Sequence, residues 1–130
     1  MTVREVLQRG RDRAEALMLD TGQALRPTGS ASYDGDRDVT TYTTLFADSP
    51  AKIQEAASRT QEVGGRTSVR VGMELHLPAT TPALTVGDVF EFTDCDPMSL
   101  MAPGDRVRIA EPVTGTLRTA RRYHVERVVT

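Results

Sequence analysis

The chain has 130 residues, a net charge of −2, one cysteine and no tryptophan. That length holds one hydrophobic core and not two, and the slight acidity supplies no overall field to draw the chain to nucleic acid or an anionic membrane. A lone Cys95 excludes an internal disulfide and a cysteine-based metal cage. No stretch approaches ~18 consecutive apolar residues, so the expectation is a soluble, unexported protein that matures in a reducing cytoplasm.

Thr2 and Glu5 have capping-box spacing. Val3, Val6, Leu7, Gly10, Ala14, Leu17 and Met18 fall within about a third of a helical wheel, which predicts an amphipathic helix over residues 1–18. Gly10 in the apolar stripe costs about 1 kcal/mol against Ala, so its use is the close approach of another backbone. Two readings stand for this face: it closes one end of its own barrel, or it docks on another subunit.

Asp20–Arg26 is a weak strand ended by Pro27, and residues 27–38 read as a long loop of turn formers. Asp34, Asp36 and Asp38 have the spacing that opens a calcium-binding loop. Val39 stands where such a loop needs Gly, and Leu45 where it needs the bidentate Glu, so the loop reads as solvated and acidic. Val39–Phe46 is a Thr-rich strand, Asp48-Ser49-Pro50 a turn, and Ala51–Gln54 a short extended piece. Residues 55–66 read as a polar loop or a helical turn closed by Gly64-Gly65.

From Thr67 to Leu77 the apolar Val69, Val71, Met73, Leu75 and Leu77 fall on every second residue. This predicts one long strand of about 35 Å, bent near Gly72 and crossing the whole sheet. Further strands follow: Leu84–Phe92 with a tight turn at Gly87-Asp88, Arg106–Ala110 after a loop over 93–105, and Tyr123–Val129 at the end of an Arg-bearing linker. The fold expected is mainly β: a small antiparallel β-barrel, SH3-like or OB-like, over residues 19–130, with long loops at about 27–38, 55–66 and 93–105 and the N-terminal helix in front.

His76 and His124 lack a third ligand at metal spacing, and neither a Gly-x-Ser-x-Gly elbow nor a Gly-rich phosphate loop is present. No catalysis, metal or cofactor is expected. Arg118, Arg121, Arg122 and Arg127 make the C-terminus locally basic, but binding of single-stranded nucleic acid needs stacking aromatics and only Tyr123 is near. A solvated or subunit-pairing Arg strand is the favoured reading.

Several segments together carry a resemblance: Ala14-Glu15-Ala16-Leu17-Met18, Arg26-Pro27-Thr28-Gly29, Gly64-Gly65-Arg66, Leu75-His76-Leu77-Pro78, Val86-Gly87-Asp88-Val89 and Ala120-Arg121-Arg122. In this order the chain resembles the head-closure proteins, or head-to-tail stoppers, of long-tailed bacteriophages of actinobacteria. The resemblance implies a structural virion protein assembled in the host cytoplasm. It would form a homo-oligomeric ring in the neck, usually twelvefold, below the portal and adaptor and above a tail terminator or tail-completion protein. Such a ring closes the DNA exit after packaging and presents the platform for the tail, and DNA passes through it without sequence-specific binding. No membrane is involved. On this reading Asp34, Asp36, Arg37 and Asp38 face the channel, the stripe Val3, Val6, Leu7, Gly10, Ala14 and Leu17 meets a neighbouring ring, and Arg118, Arg121, Arg122 and Arg127 pair subunits. The alternatives are a tail terminator or other tail-side ring and, from a different class, a small-barrel protein binding single-stranded nucleic acid.

Overall fold

The computed structural model describes residues 2–34, 37–55, 59–63, 66–70, 72–113 and 119–128; for 29–34, 37–39, 59–63 and 66–70 the description is of the backbone. The capping box forms as its spacing requires. Thr2 Oγ1 accepts from the Glu5 N–H and the Glu5 carboxylate accepts from the Thr2 N–H, both at 3.2 Å, and α1 runs over Val3–Ala16. The helix lies against the barrel strands β5 and β8, yet none of its residues is fully buried.

Eight strands follow: β1 (Asp20–Asp34), β2 (Arg37–Glu55), β3 (Arg59–Val63), β4 (Arg66–Arg70), β5 (Met73–Pro78), β6 (Val89–Asp94), β7 (Arg106–Val113) and β8 (Ala120–Arg127). Six of them close an antiparallel barrel in the order β1-β2-β5-β8-β7-β6, while β3 and β4 pair only with each other. Closure covers the edges that a flat sheet would present to other chains, except along β2 ahead of Lys52, where β5 is not paired with it.

Alternation decides what fills the barrel. Ile53, Leu75 and Tyr123 are paired across β2, β5 and β8, and all three are buried with Leu77, Val107, Ile109 and Val125. Phe90 and Phe92, two residues apart on β6, point to the same side and meet edge to face, with centroids 5.1 Å apart. The Tyr123 hydroxyl accepts from the Leu84 N–H at 3.1 Å, which satisfies the one polar atom the ring brings inside. Gly22 on β1 lies under the Phe90 ring and beside the Glu91 carbonyl, so close that a Cβ has no room.

The turn before β6 is as expected. The Asp88 N–H closes it on the Thr85 carbonyl at 3.0 Å, and Gly87 takes φ +94°, which L side chains rarely adopt. The loop between β6 and β7 also lies where the sequence placed one.

Three expectations are corrected. Residues 27–34 and 37–38 are paired strand and not loop, with Pro27 opposite Tyr42 and Asp34 opposite Arg37. Their turn chemistry is absorbed by a register shift between Pro27 and Ala31, and a Thr-rich partner strand supplies the ladder that local propensity would not predict. The expected turn at Asp48-Ser49-Pro50 is a bulge in a continuous β2: Asp48 has φ 52° and Pro50 remains opposite Thr21, on a stretch where β2 has no second neighbour to need a proline N–H. The single strand over 67–77 is two strands. β4 ends at Arg70 and pairs with β3, formed from the stretch read as loop or helical turn; past Gly72, where a bend was expected, β5 joins the barrel.

Candidate functional site

Strand lengths locate the unusual part of the molecule. β1 and β2 run 15 and 19 residues, two to three times the common strand. β1 loses its β6 neighbour after Leu25, and β2 has β5 beside it only over Lys52–Glu55. Beyond Arg26 and before Thr43 the two strands therefore form a two-stranded arm outside the barrel, with a contour of up to about 30 Å at ~3.3 Å per residue.

The base of the arm is held by charge. Arg26 donates through Nε and Nη2 to both oxygens of Asp88, at 3.0 and 2.9 Å, and the Thr85 N–H donates to Asp88 Oδ2 at 2.8 Å. Burial alone would raise the Asp88 pKa. The bonds from Arg26 and Thr85 outweigh it and hold the carboxyl below its usual range. On the outside, Gln23 and Arg106 both donate to Glu91, at 2.9 and 2.6 Å, and the Arg106 guanidinium lies over the Tyr42 ring, 5.2 Å from its centroid. Further out, the Thr28 and Thr41 hydroxyls share a 2.5 Å hydrogen bond across the register shift.

A second two-stranded ribbon, β3–β4, leaves at the other end of β2, between Glu55 and Met73. The two appendages differ in charge. The acidic arm ends in Asp34, Arg37 and Asp38, with Asp36 between them in sequence, and the ribbon carries Arg59, Glu62, Arg66 and Arg70. The molecule exposes 8757 Å², against ~6,800 Å² for a compact monomer of this mass.

The expected site residues are distributed as follows. Asp34, Arg37 and Asp38 are the last paired residues of the arm, Asp34 opposite Arg37 and Asp38 opposite Tyr33; Asp36 lies outside the described residues. On α1, Val3, Val6 and Leu17 are exposed, and Leu7, Gly10 and Ala14 are partly covered. A Cβ at Gly10 would stand 2.7 Å from Thr119 Cγ2, so the space at Gly10 is filled by a side chain just ahead of β8 and not by the backbone expected there.

Among the described residues the Arg side chains do not gather into one surface: alternation separates Arg122 from Arg121, and six positions of strand separate Arg121 from Arg127. Arg121 lies opposite Leu77 and its Nε donates to the Thr81 carbonyl at 2.5 Å. Arg122 is exposed, in the outward row with His76. Arg127 donates to Asp105 at 2.9 Å, toward the other end of β8. Arg118 lies outside the described residues.

Two further polar clusters escape sequence reading. His76 Nε2 and Glu74 Oε1 are 2.8 Å apart on the outer face of β5, flanked in register by Lys52 and Gln54 on β2 and Arg122 and His124 on β8. Burial lowers the His76 pKa more than Glu74 raises it, and Arg122 and Lys52 act with burial, so the ring is neutral at pH 7. Asp20 anchors the β6–β7 loop by accepting from the Asp96 N–H at 2.9 Å and the Ser99 hydroxyl at 2.6 Å. Beside it, burial and the charges of Asp20, Asp105 and Asp94 push the Cys95 thiol up to about 11, which leaves it a poor nucleophile. Glu74 and His76 are two positions apart on one face of a strand, whereas Asp20 and Ser99 lie 79 positions apart and no local spacing points to that pair.

Among the described residues no group of three His, Cys, Asp or Glu side chains is placed to hold a metal ion, and no helix is long and apolar enough to cross a membrane. No curated protein and no solved structure matches the chain. Residues 10–126 match the model of a family of unknown function, DUF6093, and the chain belongs to that family.

Proposed function

We propose that the protein is a structural component of the neck of a long-tailed bacteriophage, a ring subunit below the portal and adaptor that closes the DNA exit and receives the tail. The observation that carries this reading is the arm: a paired extension of a closed barrel, clamped at its base and acidic at its tip. A ring needs a rigid body to set its diameter and extensions to reach neighbours and lumen. The ~2,000 Å² of surface beyond a compact monomer supports assembly of that kind. Repeated around a channel, Asp34, Asp36 and Asp38 present negative charge to DNA phosphates, so the tips obstruct the exit without adhering to the genome. The sequence resemblance to head-closure proteins supplies the place of the ring in the particle.

The first test is cryo-electron microscopy of the particle that encodes this chain. A β-rich ring of this mass beneath the portal and adaptor, with arms entering the channel, is the expected result; absence from the neck overturns the reading. The second is replacement of residues 30–37 by a two-residue turn, which should yield filled heads that leak DNA. Normal genome retention would remove the arm from closure. Salt-sensitive binding of single-stranded DNA by the purified chain would bring the nucleic-acid alternative forward, against the dispersal of Arg121, Arg122 and Arg127 over different parts of the barrel.

A further inference from the structure

We infer that Tyr42–Phe46 on β2 is a strand-addition site for a second copy of this chain, occupied head to tail by that copy's β3–β4 ribbon. The inference rests on the ring reading only in taking the partner to be another copy.

The first observation is an edge without a neighbouring strand. β1 covers one side of β2, and on the other side β5 is paired only over Lys52–Glu55, so among the described residues no strand lies beside Tyr42–Phe46 on that side. The second is the composition of that edge. Val39–Ala47 contains no charge, glycine or proline and consists almost entirely of β-branched and aromatic residues. Proteins that keep an edge unpaired guard it with lysine, proline or a bulge. Inside the segment the register slips by one residue at Leu45, while no lysine or proline interrupts it; the left-handed Asp48 and Pro50 lie beyond it. An uncharged run of this kind on an open edge is what strand addition uses.

The ribbon supplies the complementary partner. Its two strands are 5 residues each, the length of the open segment, and they pair with nothing but each other. A lone two-stranded ribbon is marginal in water, and a third strand is what stabilises it. The charges agree: three Arg and one Glu on the ribbon approach an arm with three Asp and one Arg at its tip, so opposite signs guide the two together and like appendages repel. The geometry sets the symmetry. Arm and ribbon leave from opposite ends of one strand, so the contact joins different patches on the two copies and repeats from subunit to subunit, as in a closed ring. Each subunit has two such faces, and two ordinary interfaces take about 800 Å² each from it, close to the surplus surface of the monomer.

The test uses the full chain with Cys95→Ser, so that introduced thiols are the only ones. Thr44→Cys together with Ser68→Cys should give a ladder of covalent oligomers under mild oxidation, and each single-cysteine variant should remain monomeric on a denaturing gel. No ladder from the double variant overturns the inference. So does a covalent dimer from Thr44→Cys alone, which would mean arm against arm. A second readout is independent of oxidation. Thr43 and Thr44 are exposed, so Thr43→Lys with Thr44→Lys should leave the thermal melt near that of the parent while weakening self-association at least tenfold by sedimentation equilibrium. Unchanged self-association, or a parent chain that stays monomeric at high concentration, also overturns it. Cross-linking through this edge in a protein missing from virion necks would sink the neck reading alone. A neck ring built on other contacts would sink this inference alone.

Discussion

The barrel and its two appendages are made of the same secondary structure and differ in where their free energy comes from. In the barrel each strand pairs with two neighbours over part of its length and turns an apolar face inward, so backbone hydrogen bonding and burial reinforce each other. Among the described residues the arm and the ribbon have one neighbouring strand on each of their strands. The barrel therefore sets the stability of the fold, the arm depends on the Arg26–Asp88 clamp at its base, and both appendages depend on what they pair with. Substitutions should divide along that line.

The largest effect is expected at the centre of the barrel. Phe92→Ala deletes a ring with no exposed surface that is packed edge to face on Phe90, and chemical denaturation should show a loss of about 3–5 kcal/mol. A loss below about 1 kcal/mol would mean that the barrel does not carry the stability. Gly22→Ala comes next, because its methyl group must displace the Phe90 ring or the Glu91 backbone; about 1–3 kcal/mol is the usual cost of such overpacking, read in the same experiment.

At the junction between the two regions, Asp88→Asn removes the charge that receives Arg26. A loss of about 1–3 kcal/mol is expected, with increased amide exchange in residues 27–34 that Phe92→Ala at matched stability does not produce. Asp88 also gives this junction a pH dependence. Its pKa is lower folded than unfolded, so its contribution is complete above about pH 4 and is lost as the pH falls from the unfolded value toward the folded one. The Asn variant should lack that acid limb.

The smallest effects belong to the outer face. His76 has a pKa lowered in the fold, so the unfolded chain takes up a proton first and stability falls as the pH drops below about 6.5. His76→Gln should flatten the stability profile there while changing little at pH 8. Gly10→Leu meets Thr119 and should lift α1 from β5 and β8 at a cost of about 1 kcal/mol, with the barrel still folded by near-ultraviolet circular dichroism. Global unfolding by this substitution would place the helix with the barrel core and not with the appendages.

Much of this molecule is legible before folding, wherever the deciding interactions are local. The capping box at Thr2 and Glu5, the turn at Gly87-Asp88, the alternation of Leu75, Leu77, Val107 and Ile109, and the loop before Arg106 each follow from residues a few positions apart. The antiparallel barrel follows from how many such strands there are and how little helix accompanies them. The arm was not legible in this way. Pro27, Gly29 and Ser30 have turn chemistry, and only the ladder with Thr40–Tyr42 makes strand of their neighbourhood. Nor does local spacing show that Gly72 separates two sheets, that Arg26 finds Asp88 across 62 positions, or that Arg121 and Arg122 belong to β8 and not to the linker before it. By itself the sequence determined which stretches alternate, where a helix starts and what charge each appendage carries, because those properties depend on side-chain identity at short range. Only the tertiary structure decided which strands have two neighbours and which have one, because pairing depends on what barrel closure brings together from distant parts of the chain.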